Sequence, residues 1–199
     1  NSVEVKSEAY EKLFSSFGQK VALKVRLHHE KNTGVSRFKK IPLYLSWAKT
    51  QFSQNEIKKY LDKFSNLVIQ KVIDSSWVPG IVDFLKNNAK NKIFFIVTAT
   101  PQNEIEEIID ELEIKKFFTY VIGSPTSKKE AIRYIINRLS LNKEDVVMIG
   151  DAETDYSAAI SNKINFILRK SNLNIQLQNE LKCHIIKDFN DLDMVIDNE

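Results

Sequence analysis

The sequence predicts an α/β protein: a parallel sheet that follows a small all-helical segment. Two observations carry the expectation. Through residues 1–76, apolar residues recur at helical spacing and no strand pattern appears. Beyond Trp77-Val78-Pro79-Gly80, short apolar runs alternate with amphipathic stretches. Strands that alternate with helices form parallel sheets with right-handed crossovers.

In the first part, Ala9, Leu13, Phe14 and Phe17 mark one helix, and Ile57, Leu61, Phe64, Val68 and Val72 mark a longer one. Residues 29–36, His-Glu-Lys-Asn-Thr-Gly-Val-Ser, interrupt this pattern with turn formers. The segment therefore reads as a small helical bundle. In the second part, Ile93 to Val97 is a buried strand pattern, and Ile105, Ile108, Ile109 and Leu112 are a helix face. Tyr120 to Ile122 is a short strand, and Ala131, Ile132, Ile135, Ile136 and Leu139 mark the next helix. Strands follow at Val146 to Ile149, Asn165 to Leu168 and Cys183 to Ile186, with a last helix around Asp191 to Ile196.

Composition narrows the function. The chain has 199 residues, 43% hydrophobic and 28% charged, which suits one large or two small globular domains. A net charge of +3, with both signs interspersed, gives no basic stripe for nucleic acid. No apolar run is long enough to span a bilayer, and the N-terminus carries no signal-peptide pattern. The single cysteine, Cys183, excludes an internal disulfide and fits a reducing cytoplasm; its apolar surroundings predict a buried thiol. His28 and His29 would point about 100° apart on a helix, poor geometry for chelation. Neither G-x-G-x-x-G nor a P-loop motif occurs.

Three strand ends carry polar groups suited to phosphate chemistry. Val146-Val147-Met148-Ile149 runs into Gly150-Asp151, and Asp155 follows one helical turn later. Ligands bind at the carboxyl ends of strands in open α/β sheets. Gly150 there would permit a sharp turn or close approach to a ligand. Two carboxylates at such a tip suit Mg²⁺, although Asp155 could equally cap a helix. The strand before Pro101 ends in Thr98-Ala99-Thr100, whose hydroxyls and backbone N–H groups could hold a phosphate or merely cap the next helix. Lys128 follows Gly123-Ser124-Pro125-Thr126-Ser127 and is a cation able to neutralise a phosphoryl oxygen, or else a surface lysine.

The ordered set of Thr98, Lys128 and Gly150-Asp151-x-x-x-Asp155 resembles the second, third and fourth motifs of the haloacid dehalogenase-like hydrolases. Lys129 is a poorer match to the third motif than Lys128. The resemblance covers essentially the whole chain, with Val78-Pro79-Gly80-Ile81 similar to the family's re-entry into its core. It implies a Rossmann-like parallel sheet core over residues 77–199 and an N-terminal helical cap domain over residues 1–76. It also implies a Mg²⁺-dependent phosphatase acting on a small phosphorylated metabolite. Asp151 would bind Mg²⁺ with Asp155 in support, Thr98 and the Ala99 N–H would hold the phosphoryl group, and Lys128 would neutralise its charge. Residues 28–40 resemble a cap segment of sugar-phosphatase-like members, so Arg37 is a candidate for gripping a second acidic group of the substrate, or else a solvated cap residue.

The family's first motif, D-x-D-x-[TV], which bears the nucleophile on the first core strand, has no counterpart in residues 1–199. The one D-x-D, Asp191-Leu192-Asp193, sits in a helical pattern. Asn1 to Ala9 resembles the segment that immediately follows the motif, so the resemblance places the nucleophile and first core strand upstream of Asn1. A phosphomutase would use the same groups. An inactive module that binds phosphorylated ligands or a protein partner would need no nucleophile.

Overall fold

The computed structural model describes residues 2–48, 51–190 and 192–196; Asp191 lies outside the described residues. The first elements are α1 (Ser2–Phe14), a 3₁₀ turn (Ser15–Phe17), α2 (Gln19–Lys31), α3 (Arg37–Ala48) and α4 (Gln54–Ile73). Helix α2 continues through His28, His29 and Lys31, so the expected break at residue 29 begins only at Asn32. Basic side chains in its last turn suit the negative end of the helix dipole. Ser53 starts α4 with a reciprocal cap: its hydroxyl accepts from Glu56 N at 3.3 Å, and Glu56 Oε2 accepts from Ser53 N at 2.9 Å.

The helices bury an aromatic core. Tyr10, Phe14, Tyr44 and Phe64 are all but fully buried. Tyr10 lies 4.0 Å from Phe64 between ring centroids, and Tyr44 meets both Tyr10 and Phe14 edge-on. Such contacts add about 0.5–1.5 kcal/mol each beyond area burial.

The α/β part follows: α5 (Ile81–Asn88), β1 (Phe94–Pro101), α6 (Gln102–Glu111), β2 (Phe118–Ser124) and α7 (Lys128–Leu139). Then come β3 (Val147–Gly150), α8 (Glu153–Asn162), β4 (Asn165–Arg169), α9 (Ile175–Glu180), β5 (His184–Ile186) and α10 (Leu192–Ile196). The short α9 had no counterpart in the sequence pattern, because six residues are too few to show a period. Cys183 falls one residue ahead of β5 and is half-buried rather than buried, since β5 pairs on one side only. No helix among the described residues is long and apolar enough to cross a membrane.

Every strand pairing is parallel, and the protein is of the α/β class. The hydrogen bonding forms two ladders rather than one, β1-β2 and β3-β4-β5. Apolar packing bridges the gap: Phe94 of β1 packs against a cluster with Val147 and Ile149, and Val97 packs against a cluster with Met148 and Phe166. The carboxyl ends of β1 and β3 thus lie beside one cavity although their edges do not pair.

Phe14 contacts its neighbours on every side, with no exposed surface. Phe14→Ala should lower unfolding stability by about 3–5 kcal/mol, read as a fall in the denaturation midpoint at constant slope.

Candidate active site

At the end of β1 the chain folds back on its own hydroxyls. Thr100 N donates to Thr98 Oγ1 at 3.2 Å, and the two hydroxyl oxygens lie 3.3 Å apart. Neither threonine caps α6, which starts after Pro101 without a side-chain cap bond. Ser124 Oγ donates to Ala99 O at 2.8 Å and ties the ends of β1 and β2 together. Gln102 does the same, its Nε2 donating to Val121 O and its Oε1 accepting from Gly123 N.

Ser127 and Glu130 form a second reciprocal cap, which sets Lys128 at the first position of α7. Its ammonium donates to Asp155 Oδ1 at 2.5 Å and Thr154 Oγ1 at 3.2 Å. Lys129 is exposed. Asp155 is 5% exposed, and its Oδ2 accepts from Ala152 N at 3.1 Å. One carboxylate thus orients the lysine and braces the loop that carries Asp151. Gly150 does not adopt a positive φ. A methyl group at that position would overlap the Asp155 side chain, which lies directly on the strand end.

Asp151 lines the cavity. Burial pushes its carboxyl above the usual range, and the Asp155 charge adds to this. Asn174, itself buried, donates to both Asp151 O and Arg169 O at 2.9 and 3.0 Å and holds this loop from the far side. The described residues contain no cluster of three or more Asp, Glu, His or Cys side chains able to hold a metal.

The cavity encloses about 170 Å³. Its sheet-end wall presents Thr98, Ala99, Thr100, Lys128 and Asp151. Its helical wall presents Lys6, His29, Arg37 and Lys40. Arg37 is not solvated: it is 5% exposed, and Nη1 donates to Glu104 Oε1 at 2.8 Å and to Ser65 Oγ at 3.0 Å. Ser65 Oγ also donates to that same Glu104 oxygen.

Sequence reasoning missed Lys6, His29, Lys40, Glu104 and Asn174. A signal existed for most of them. Lys6 precedes Tyr10 by four residues, Lys40 precedes Tyr44 by four, and Glu104 precedes Ile108 by four. Each is a charge on the buried face of an amphipathic helix, a position reserved for apolar side chains unless a partner or a function holds the charge. Burial and the neighbouring Lys6 and Lys128 drive the Lys40 amine down to about 7. Burial and Arg37 drive Lys6 down to about 8.

The family model of the haloacid dehalogenase-like hydrolases matches residues 7–169. A phosphorylated carbohydrates phosphatase of Thermotoga maritima is 24% identical over 160 residues, covering 77% of this chain and 72% of that protein. A β-phosphoglucomutase structure from Clostridium difficile superposes with a TM-score of 0.75 at 18% identity, covering 99% of this chain and 90% of that one. A hydrolase structure from Bacillus subtilis bound to magnesium superposes with a TM-score of 0.70 at 14% identity, covering 98% and 92%.

Glu104→Ala should destabilise the protein by about 3–5 kcal/mol, because it strands the buried Arg37 charge; pairing it with Arg37→Met should restore much of the loss. Chemical denaturation of the four members of this cycle checks both statements. The lysines give a pH dependence of definite sign. Between about pH 7 and 10.5 the unfolded chain holds a proton at residue 40 that the folded chain has released, so stability rises with pH over that window. Denaturation midpoints should climb from pH 7 to 9.5, and climb less in Lys40→Met.

Proposed function

Because the chain belongs to the haloacid dehalogenase-like hydrolases, we propose that it is a Mg²⁺-dependent phosphomonoesterase acting on a small phosphorylated metabolite of the sugar-phosphate kind. The observation that carries the reading is the convergence of Thr98, Lys128 and Asp151 on one cavity at the carboxyl ends of β1 and β3. In this reading residues 77–199 form the core domain. Residues 1–76 form a helical cap domain that covers the site and chooses the substrate.

The donors suit magnesium. Asp151 and Asp155 offer hard oxygens, and their mutual repulsion in a buried place favours a cation between or beside them. Mg²⁺ takes one or two carboxylates and completes its shell with water and phosphate oxygens, so a cluster of three acids is not required. Asp151 would hold the ion, and Asp155, already bonded to Lys128 and Ala152, would hold Asp151 and the metal's waters in place. Bound there, the ion supplies positive charge to the phosphoryl oxygens.

The protein groups do the remaining work. Thr98 Oγ and the Ala99 N–H grip the transferring phosphoryl group, Arg37 faces the substrate from the helical wall, and Lys128 neutralises charge that grows on the equatorial oxygens. The accepting carboxylate comes from a further parallel strand lodged between β1 and β3 and supplied from outside residues 1–199. The unpaired facing edges of those two strands support this. Its oxygen bonds to phosphorus as the ester P–O bond breaks, and the departing alkoxide takes a proton from solvent. Water then bonds to phosphorus and gives up a proton to solvent as the acyl-phosphate P–O bond breaks, which releases inorganic phosphate and frees the carboxylate.

The test is a phosphate-ester panel with Mg²⁺, run on the 199-residue chain and on a version extended upstream with its native codons. The extended protein should turn over phosphomonoesters, and Thr98→Val should slow it by about 10²–10³. Asp151→Asn should abolish the Mg²⁺ heat in calorimetry. Full activity of the short chain would refute the external nucleophile. A folded, inactive extended protein would leave a ligand-binding module, and conversion of a sugar phosphate to its isomer would mark a mutase.

A further inference from the structure

The cations of the helical wall are not all accounted for by the chemistry at the sheet ends. Four of them line the cavity: Lys6, Arg37, Lys40 and Lys128. Two are matched, Arg37 by Glu104 and Lys128 by Asp155. Lys6 and Lys40 make no ion pair among the described residues, and Asp151 is the only carboxylate among the residues that line the cavity. Lys6 Nζ reaches only the Thr100 hydroxyl, at a long 3.5 Å.

Lys40 is the more demanding of the two. It is 1% exposed, and its ammonium meets His29 Nδ1 at 2.8 Å. Below about pH 7 the side chain is an ammonium with three N–H donors and no acceptor, so two donors are left over, and an anion bound beside it would keep it charged above that pH. Its partner adds a third. Burial and the surrounding cations keep His29 neutral. Since Nδ1 accepts from Lys40, the ring proton sits on Nε2, and Nε2 has no hydrogen-bond partner among the described residues. Buried charges without a counter-charge are costly, and such groups persist where a ligand supplies the missing acceptors. In the phosphatase reading the phosphoryl group goes to Thr98 and Lys128, while Lys40 and His29 line the helical side of the same cavity.

We propose that Lys40, backed by His29, forms a second anion subsite beside the phosphoryl subsite, with Lys6 at the border between the two, so that the substrate is a small phosphomonoester carrying a second anionic group, carboxylate or phosphate, a few bonds from the ester. The proposal rests on the phosphatase reading above and narrows its substrate class. Arg37, previously the candidate for this task, already has its charge met by Glu104, and the cavity of about 170 Å³ confines both anions to one short molecule.

Calorimetry at pH 6.5 with Mg²⁺, on the upstream-extended protein used for the phosphate-ester panel, tests it with ligands that cannot be hydrolysed. The probes are 3-phosphonopropanamide, its isostere 3-phosphonopropanoate, and propane-1,3-bisphosphonate. At least one doubly anionic probe should bind about tenfold or more tightly than the amide, in line with a buried charge-assisted contact. Which probe gains tells carboxylate from phosphate. Lys40→Met should bring the affinity ratio close to one. Lys6→Met, at a half-buried position, should reduce the ratio too and serves if Lys40→Met fails to fold by near-ultraviolet circular dichroism. Equal wild-type affinities, or a ratio that survives in the folded variants, would overturn the second subsite and leave the phosphatase reading standing. Failure of all three probes to bind would overturn both.

Discussion

The Arg37–Glu104 pair is the contact on which the two parts of the molecule depend. It joins α3 to α6, and Ser65 brings in α4 on the same carboxylate oxygen. The guanidinium also stacks over Phe64, 4.6 Å from the ring centroid, and Phe64 stacks on Tyr10. The ion pair is thus continuous with the aromatic core of the helical part. Buried pairs contribute little net stability against an apolar replacement, but losing one partner is severe. That asymmetry suits a junction. With Glu104 in place, Arg37 is fixed, and Lys40, one helical turn along α3, is held at the cavity wall.

At the sheet ends one carboxylate organises the rest. Asp155 takes the Lys128 ammonium on one oxygen and the Ala152 N–H on the other, and its side chain rests on the bare backbone of Gly150. Lysine, loop and strand tip therefore share a single anchor. Burial and Asp155 hold the Asp151 carboxyl above the usual range in spite of Lys128, Arg169 and Lys6 nearby, and Asn174 holds its backbone from behind. Rigid support of this kind is what a phosphoryl-transfer site requires, since positioning and charge make up most of its chemistry.

Much of the α/β part was legible because its signals are local. The period of Ile105, Ile108 and Ile109 fixes a helix face, and the apolar run before Gly150 marks a strand, each without reference to distant residues. Thr98, Lys128, Asp151 and Asp155 stood out for the same reason: each lies at or near the carboxyl end of a parallel strand, where side chains face the same way. The helical wall was harder to read: Arg37 was picked out, but its partner was not, and the lysines showed only as charges at apolar spacing. Arg37 and Glu104 are 67 residues apart, and nothing in either neighbourhood names the other. Lys6 and Lys40 look like ordinary surface lysines until their helices are rotated into place. The division of hydrogen bonding into two ladders is likewise a matter of which edges meet, not of propensity.

Gly34 lies in the loop between α2 and α3, and a methyl group there would overlap the Thr154 hydroxyl, the same hydroxyl that accepts from Lys128. The loop tip is therefore pressed against the support of Lys128, with no room for a side chain. A side chain at position 34 would have to displace that support, whereas Thr33 and Val35 on either side line the cavity itself. The bare backbone of this loop is thus one of the fixed points that set where Lys128 stands.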